Sequence, residues 1–181
     1  MIIFTRTIVL TILLFISFYA PYTAYLNHIP NNNIHVLDVK EGESINKVLS
    51  KFSDHNFMNK IYINMFIKAN NISSIKIGEY SIKDKSIKNI ISSMQNGNTI
   101  THQISIIEGM NIFELEELID QSLLINDCPY LECLDLKYGF YEGTLFPDTY
   151  FYKKNMKSSE ILIQSRNKLD KYLDELFIDG Y

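Results

Sequence analysis

Val39-Lys40-Glu41-Gly42-Glu43-Ser44-Ile45 and Ile106-Ile107-Glu108-Gly109-Met110-Asn111-Ile112 repeat one pattern, and that pattern decides the fold. A run ahead of each turn, Ile34 to Val39 and Gln103 to Ile107, reads as a strand. Apolar residues at helical spacing follow: Ile45, Val48, Leu49 and Phe52 in the first unit, then Ile112, Leu115, Leu118 and Ile119, with Phe113 beside them, in the second. Gly42 and Gly109 allow the backbone angles that reverse the chain between strand and helix. Ser44 and Asn111 are N-cap residues, and Glu114 stands three positions after Asn111 like the far half of a capping box. The chain is therefore of the α+β class, and these turns are structural devices.

Between the two units, Asn59 is placed to cap a helix running to about Ala69 with Ile61, Met65 and Phe66 inward. Gly78-Glu79-Tyr80-Ser81-Ile82 is a short strand. Ser86 then caps a helix carrying Ile87, Ile90, Ile91 and Met94, which Gly97 ends. Residues 34–100 thus read β-α-α-β-α and resemble a LysM-like module, a common glycan-binding fold.

Upstream of this module, no Asp, Glu, Lys or Arg occurs between Arg6 and Asp38. A bilayer core takes about 20 apolar residues as a helix, and residues 7–26 supply them. Arg6 keeps the six-residue tail, residues 1–6, in the cytoplasm and sends the rest outward. Tyr19, Tyr22 and Tyr25 then fall at an interfacial aromatic belt. A secretory signal is the competing reading, but Ala20 is followed by Pro21 and Ala24 has Tyr22 two positions before it, both poor cleavage contexts. The reading is a single-pass protein of a bacterial cytoplasmic membrane, with residues 27–33 as a polar linker. Heavy use of Ile, Asn and Lys, with Ala only at 20, 24 and 69, reads as the codon bias of an A+T-rich genome.

Charge and cysteines exclude several classes. From Glu108 to Asp148 there are ten acids and one base, Lys137, so nucleic acid is not an expected partner. Solvated acidic helix faces account for the excess. Outside the cytoplasm Cys128 and Cys133 could pair, but five residues apart on a helix they would lie on different faces, which favours buried or idle thiols, and no His stands near them to make a metal site. No cofactor is expected.

Tyr141-Glu142-Gly143-Thr144-Leu145-Phe146-Pro147-Asp148-Thr149-Tyr150-Phe151 is the most specific stretch. Pro147 breaks regular structure, the carboxylates Glu142 and Asp148 lie six apart, and Phe146, Tyr150 and Phe151 crowd them. Two readings stand: a packed loop whose Asp caps a turn and whose aromatics fill a core, or a cleft offering sugar rings an aromatic face and carboxylates. The stretch resembles the Glu-Gly-x-Leu-Phe-Pro-Asp-Thr-Tyr signature of the endolytic murein transglycosylase (YceG-like) family. The order of elements agrees along essentially the whole chain: tail, span, LysM-like module with Gly78-Glu79-Tyr80, and the Ile-Glu-Gly turn.

The resemblance implies a lyase acting on the MurNAc–GlcNAc bond of peptidoglycan. One glutamic acid protonates the glycosidic oxygen and then, as base, draws the muramyl C6 hydroxyl onto the anomeric carbon to leave a 1,6-anhydro ring. It makes Glu142, Phe146, Asp148 and Tyr150 cleft candidates, with Gly42, Gly109, Gly143 and Pro147 shaping turns. Glycan strands and the membrane are the implied partners, with cell-wall synthesis machinery a further candidate. The family's catalytic Ser-Ile-Val/Ile-Glu-Lys-Glu run is not in this sequence. Residues 101–181 are therefore expected to be an incomplete α+β catalytic-type domain of a fragment, a decayed remnant, or a split gene completed by a second polypeptide. On this view the helix after Ser158, with Ile161, Leu162, Leu169, Tyr172, Leu173 and Leu176 on one face, lacks a partner layer, and proteolysis enters after about Tyr130.

Overall fold

The computed structural model describes residues 2–30, 33–54, 56–134 and 141–178. Asn31 and Asn32 of the linker lie outside them. Two compact units emerge, Met1–Thr99 and Ile100–Tyr181.

The first unit opens with helix α1, Ile2–Asn27, which continues straight through Pro21. Over Thr5–Asn27 it is long and apolar enough to cross a membrane. Strand β1 (Val36–Val39) pairs antiparallel with β2 (Gly78–Ser81), Val36 opposite Ser81 and Val39 opposite Gly78. Helices α2 (Ile45–Leu49) and α3 (Phe57–Ala69) lie between them in sequence, and α4 (Ile87–Asn96) follows. The order is β-α-α-β-α. Alternation along β1 and β2 turns Leu37, Val39 and Tyr80 inward, onto Val48, Leu49, Ile63 and the α4 face of Ile87, Ile90, Ile91 and Met94. Ser44 caps α2, its Oγ accepting the Lys47 amide at 3.3 Å, and Gly97 ends α4 in the left-handed conformation (φ 76°).

Two expectations in this unit need correction. The cap of α3 is Asn56, which accepts the Asn59 amide at 2.8 Å; Asn59 itself sits inside the first turn and donates to the Asp54 carbonyl. Met65 is 43% exposed; Tyr62 and Ile63 are the buried residues of α3, and Phe66 packs against the core as expected. Tyr22 and Tyr25 also pack against the protein core, and Leu26 is buried in it.

In the second unit β3 (His102–Ile106) pairs antiparallel with β4 (Asp148–Tyr152), from His102 opposite Tyr152 to Ile106 opposite Asp148. Helix α5 (Ile112–Asp120) begins with the expected capping box: Asn111 accepts from Phe113 and Glu114 amides, and Glu114 accepts the Asn111 amide at 2.9 Å. Ile104, Ile106, Tyr150 and Tyr152 face Leu115 and Ile119 of α5 and Ile161 and Leu162 of α6 (Ser158–Ile178). Asp127 caps α6 from a distance, taking the Ser159 amide at 3.0 Å and its hydroxyl at 2.9 Å.

The second unit also departs from expectation. Cys128 and Cys133 form a disulfide with Cα atoms 5.1 Å apart. No helix runs through them: the segment is a 3₁₀ turn, Pro129–Leu131, with Tyr130 at φ 50° and Leu131 at φ 62°, which folds the chain back on itself. Buried Glu116 holds that turn by accepting the Tyr130 amide. Cys128 and Leu131 are core residues, while Tyr130 between them is half exposed. The first half of α6 is packed, with Ile161 and Leu162 buried, whereas beyond Arg166 the side chains of Tyr172, Leu173 and Leu176 are exposed.

Reduction of Cys128–Cys133 should destabilise the second unit by about 2 kcal/mol, the closure entropy of so short a loop. Amide exchange under reducing agent should accelerate in β3 and β4 and leave β1, β2 and α4 unchanged. Within α6, amides of Ser158 to Ser165 should exchange more slowly than those of Asp170 to Phe177.

Candidate functional site

The register of β3 on β4 fixes the geometry of the site. Ile106 ends β3 opposite Asp148, which begins β4. The loop leaving β3, Ile107-Glu108-Gly109, and the loop entering β4, Tyr141 to Pro147, are therefore brought to one end of the sheet. An open cleft of about 340 Å³ lies between them. Ile106, Ile112, Leu115, Leu131, Leu145 and Leu169 give it apolar walls, and Glu108, Asn111, Tyr141 and Glu142 add its polar atoms. Glu108, Tyr141 and Glu142 are all exposed. Gly109 (φ 80°) and Gly143 (φ 72°) turn the two loops in the left-handed region that other residues resist.

Of the candidates drawn from the sequence, Glu142, Gly143, Gly109 and Pro147 line this cleft, whereas Gly42 belongs to the first unit. Phe146, Asp148 and Tyr150 do not line it, because strand parity and α6 direct them elsewhere. Tyr150 is buried, its hydroxyl donating to the Phe146 carbonyl at 2.7 Å. Phe146 meets the ring of Tyr172 edge-on at 5.4 Å, with Lys168 over its face at 4.8 Å. Asp148 is held by Lys168 and by the Thr149 amide. Together these residues clamp the loop to α6. Ser165, fully buried, completes the clamp by accepting the Phe146 amide at 2.9 Å and donating to its carbonyl at 3.1 Å.

Tyr141 is the cleft's aromatic and Glu108 its second carboxylate. Both were within reach of the sequence. Glu108-Gly109 and Glu142-Gly143 are the same dipeptide, each closing a loop at one end of a paired strand.

A model of the YceG-like family matches residues 37–179. The chain belongs to the YceG-like family. The crystal structure of a YceG-like protein from Listeria monocytogenes is similar at 21% identity, with a TM-score of 0.31 over 80% of this chain. The YceG-like chain described here spans 58% of that protein's length. No curated protein matches it.

Electrostatics of the clamp give a pH window. The hydrogen bond from Lys168, then that from the Thr149 amide, hold the Asp148 carboxyl below the usual aspartate range, and the same pairing raises Lys168. A lowered acid stabilises the fold above its unfolded value, about 3.9, and loses that contribution as pH falls through the folded value. A raised lysine contributes fully below about 10.4 and loses it as pH rises through the folded value. The clamp is therefore complete from mildly acidic to mildly alkaline pH. Titrating the Thr149 amide by NMR should give an acid midpoint below the usual aspartate value, and Asp148→Asn should abolish that transition. Ser165→Ala, which strands a buried amide, should destabilise the second unit by about 1–3 kcal/mol in denaturant unfolding.

Proposed function

We propose that this chain is a peptidoglycan lytic transglycosylase-like protein, anchored by α1 with its N-terminus in the cytoplasm, that engages glycan strands and does not cleave them by itself. The observation that carries the reading is the cleft: the family signature folds so that Tyr141 and Glu142 stand across from Glu108 on apolar walls. An aromatic face with flanking carboxylates suits a sugar ring and its hydroxyls. The β-α-α-β-α unit, as a LysM-like module, adds a second glycan-binding surface. The family's Ser-Ile-Val/Ile-Glu-Lys-Glu run, which would supply the acid and base of 1,6-anhydro ring closure, does not occur within these 181 residues.

A second reading is favoured by the β-α-α-β-α order of the first unit: a non-catalytic, membrane-anchored peptidoglycan-binding or scaffold protein. Both readings require binding, and they part on rescue. Incubation of peptidoglycan sacculi with the full chain in mild detergent should release no anhydro-muropeptides. Addition of a polypeptide carrying the missing run should release them on the first reading and leave the glycan intact on the second. Anhydro products from the chain alone would place the catalytic acid within these residues.

Binding itself has a direct test at the cleft. Glu142→Gln should weaken retention on insoluble peptidoglycan about tenfold, the worth of one charge-assisted hydrogen bond of about 1.4 kcal/mol. Unchanged retention would remove Glu142 from the contact surface.

A further inference from the structure

Helix α3 carries an apolar stripe that its own fold does not cover. At 100° per residue, Phe57, Ile61, Met65 and Met58 fall within an arc of roughly 100°. Phe57 is 76% exposed, Met58 45% and Met65 43%. The face that serves the core is another one, bearing Ile63, Phe66 and Ile67. Lys60 flanks the stripe and Lys68 closes its carboxyl end, both exposed.

What covers the stripe follows from where α3 meets α1. Tyr62, next around the wheel from Met58, packs edge-on against Phe18 at 5.6 Å and Tyr22 at 5.8 Å, and also meets Tyr25 at 6.1 Å. Helix α3 therefore stands level with residues 18–25 of α1. A bilayer core takes about 20 helical residues, with about 17 as the lower limit. Within α1, Ile2–Asn27, the windows of about 20 residues end between Pro21 and Asn27, and the innermost window of about 17 residues ends at Phe18. Every choice puts the outer edge of the hydrocarbon at or beyond the level Tyr62 touches. Helix α3 cannot stand clear of the membrane.

We infer that α3 is an interfacial helix: it lies in the outer headgroup region with Phe57, Met58, Ile61 and Met65 against the acyl chains and Lys60 and Lys68 at lipid phosphates. The occupant of the stripe is lipid, contiguous with the bilayer that surrounds α1. This rests on the reading of α1 as a membrane span. Its consequence is that the first unit is held flat against the membrane and does not swing on a tether. An apolar face with basic residues beside it is the composition of helices that sit about 5–10 Å into this boundary.

The chain has no tryptophan, so Phe57→Trp and Met65→Trp each introduce a single indole. Each full-length variant is reconstituted into vesicles of phosphatidylethanolamine and phosphatidylglycerol whose acyl chains carry bromine at a shallow or a deep position. Vesicle flotation is measured on the same samples. Both indoles should lose most of their emission to shallow bromine, less to deep bromine, and be shielded from aqueous iodide. Quenching by iodide and not by bromine in floating vesicles would overturn the inference and leave the span intact. Shielding from both quenchers would mean that protein, such as a second copy, covers the stripe, and would equally overturn it. Protein that fails to float would instead refute the span on which the inference rests.

Discussion

The antiparallel pairing of β3 with β4 is the constraint on which the second unit depends. With Ile106 opposite Asp148, Ile104, Ile106, Tyr150 and Tyr152 share the face that α5 and the first half of α6 cover. A one-residue slip along β4 would turn both tyrosines to solvent and bring Phe151, 65% exposed, into the core. It would also pull apart the loops that frame the cleft. The Ser105 and Thr149 hydroxyls, 2.9 Å apart across the strands, reinforce the register on the open face.

A two-stranded sheet buries little apolar surface, and the unit compensates with polar staples. Asp127 gathers the start of α6, Glu116 pins the turn at Tyr130 and also accepts from the Asn126 side-chain Nδ2 at 3.0 Å, and Ser165 holds the backbone of Phe146. The Cys128–Cys133 disulfide closes the same stretch. Each staple joins segments that no regular element connects. This is how a unit with a two-stranded sheet keeps Cys128 and Leu131 in its core.

The fold was legible wherever one local signal was sufficient. Glycine at the turns, Ser44 and Asn111 with Glu114 at the helix starts, and the apolar faces of α4 and α5 all lie in short windows. What escaped depends on conformation or packing between distant segments. Tyr130 and Leu131 adopt positive φ without glycine, so nothing in the sequence announced the reversal that brings the cysteines together. The inward turn of Tyr150 follows from strand parity, which the alternation of Asp148 to Tyr152 carries but which proximity to Glu142 and Asp148 obscured. On α3, counting apolar residues could not separate the face that meets the core from the face left open. Tyr62 makes that distinction, and only its contact with α1 reveals it.

The two Glu-Gly turns explain why a structural device becomes a candidate site in one unit and not in the other. In the first unit the residue after the glycine is Glu43, which accepts the Lys40 amide at 3.1 Å and pairs with Lys51 at 2.7 Å. That pairing, together with the hydrogen bond from Lys51 to the Asp38 carbonyl, ties the turn to the strand before it and the residues after α2. In the second unit the equivalent position is Met110, which has no charge to offer and lines the cleft instead. The backbone turn is retained while the ionic closure is absent, and the loop before β4 brings a second Glu-Gly alongside. Where Glu43 ties its turn shut with a cation, Glu108 and Glu142 stand exposed on an apolar floor, and that difference in one side chain separates scaffold from site.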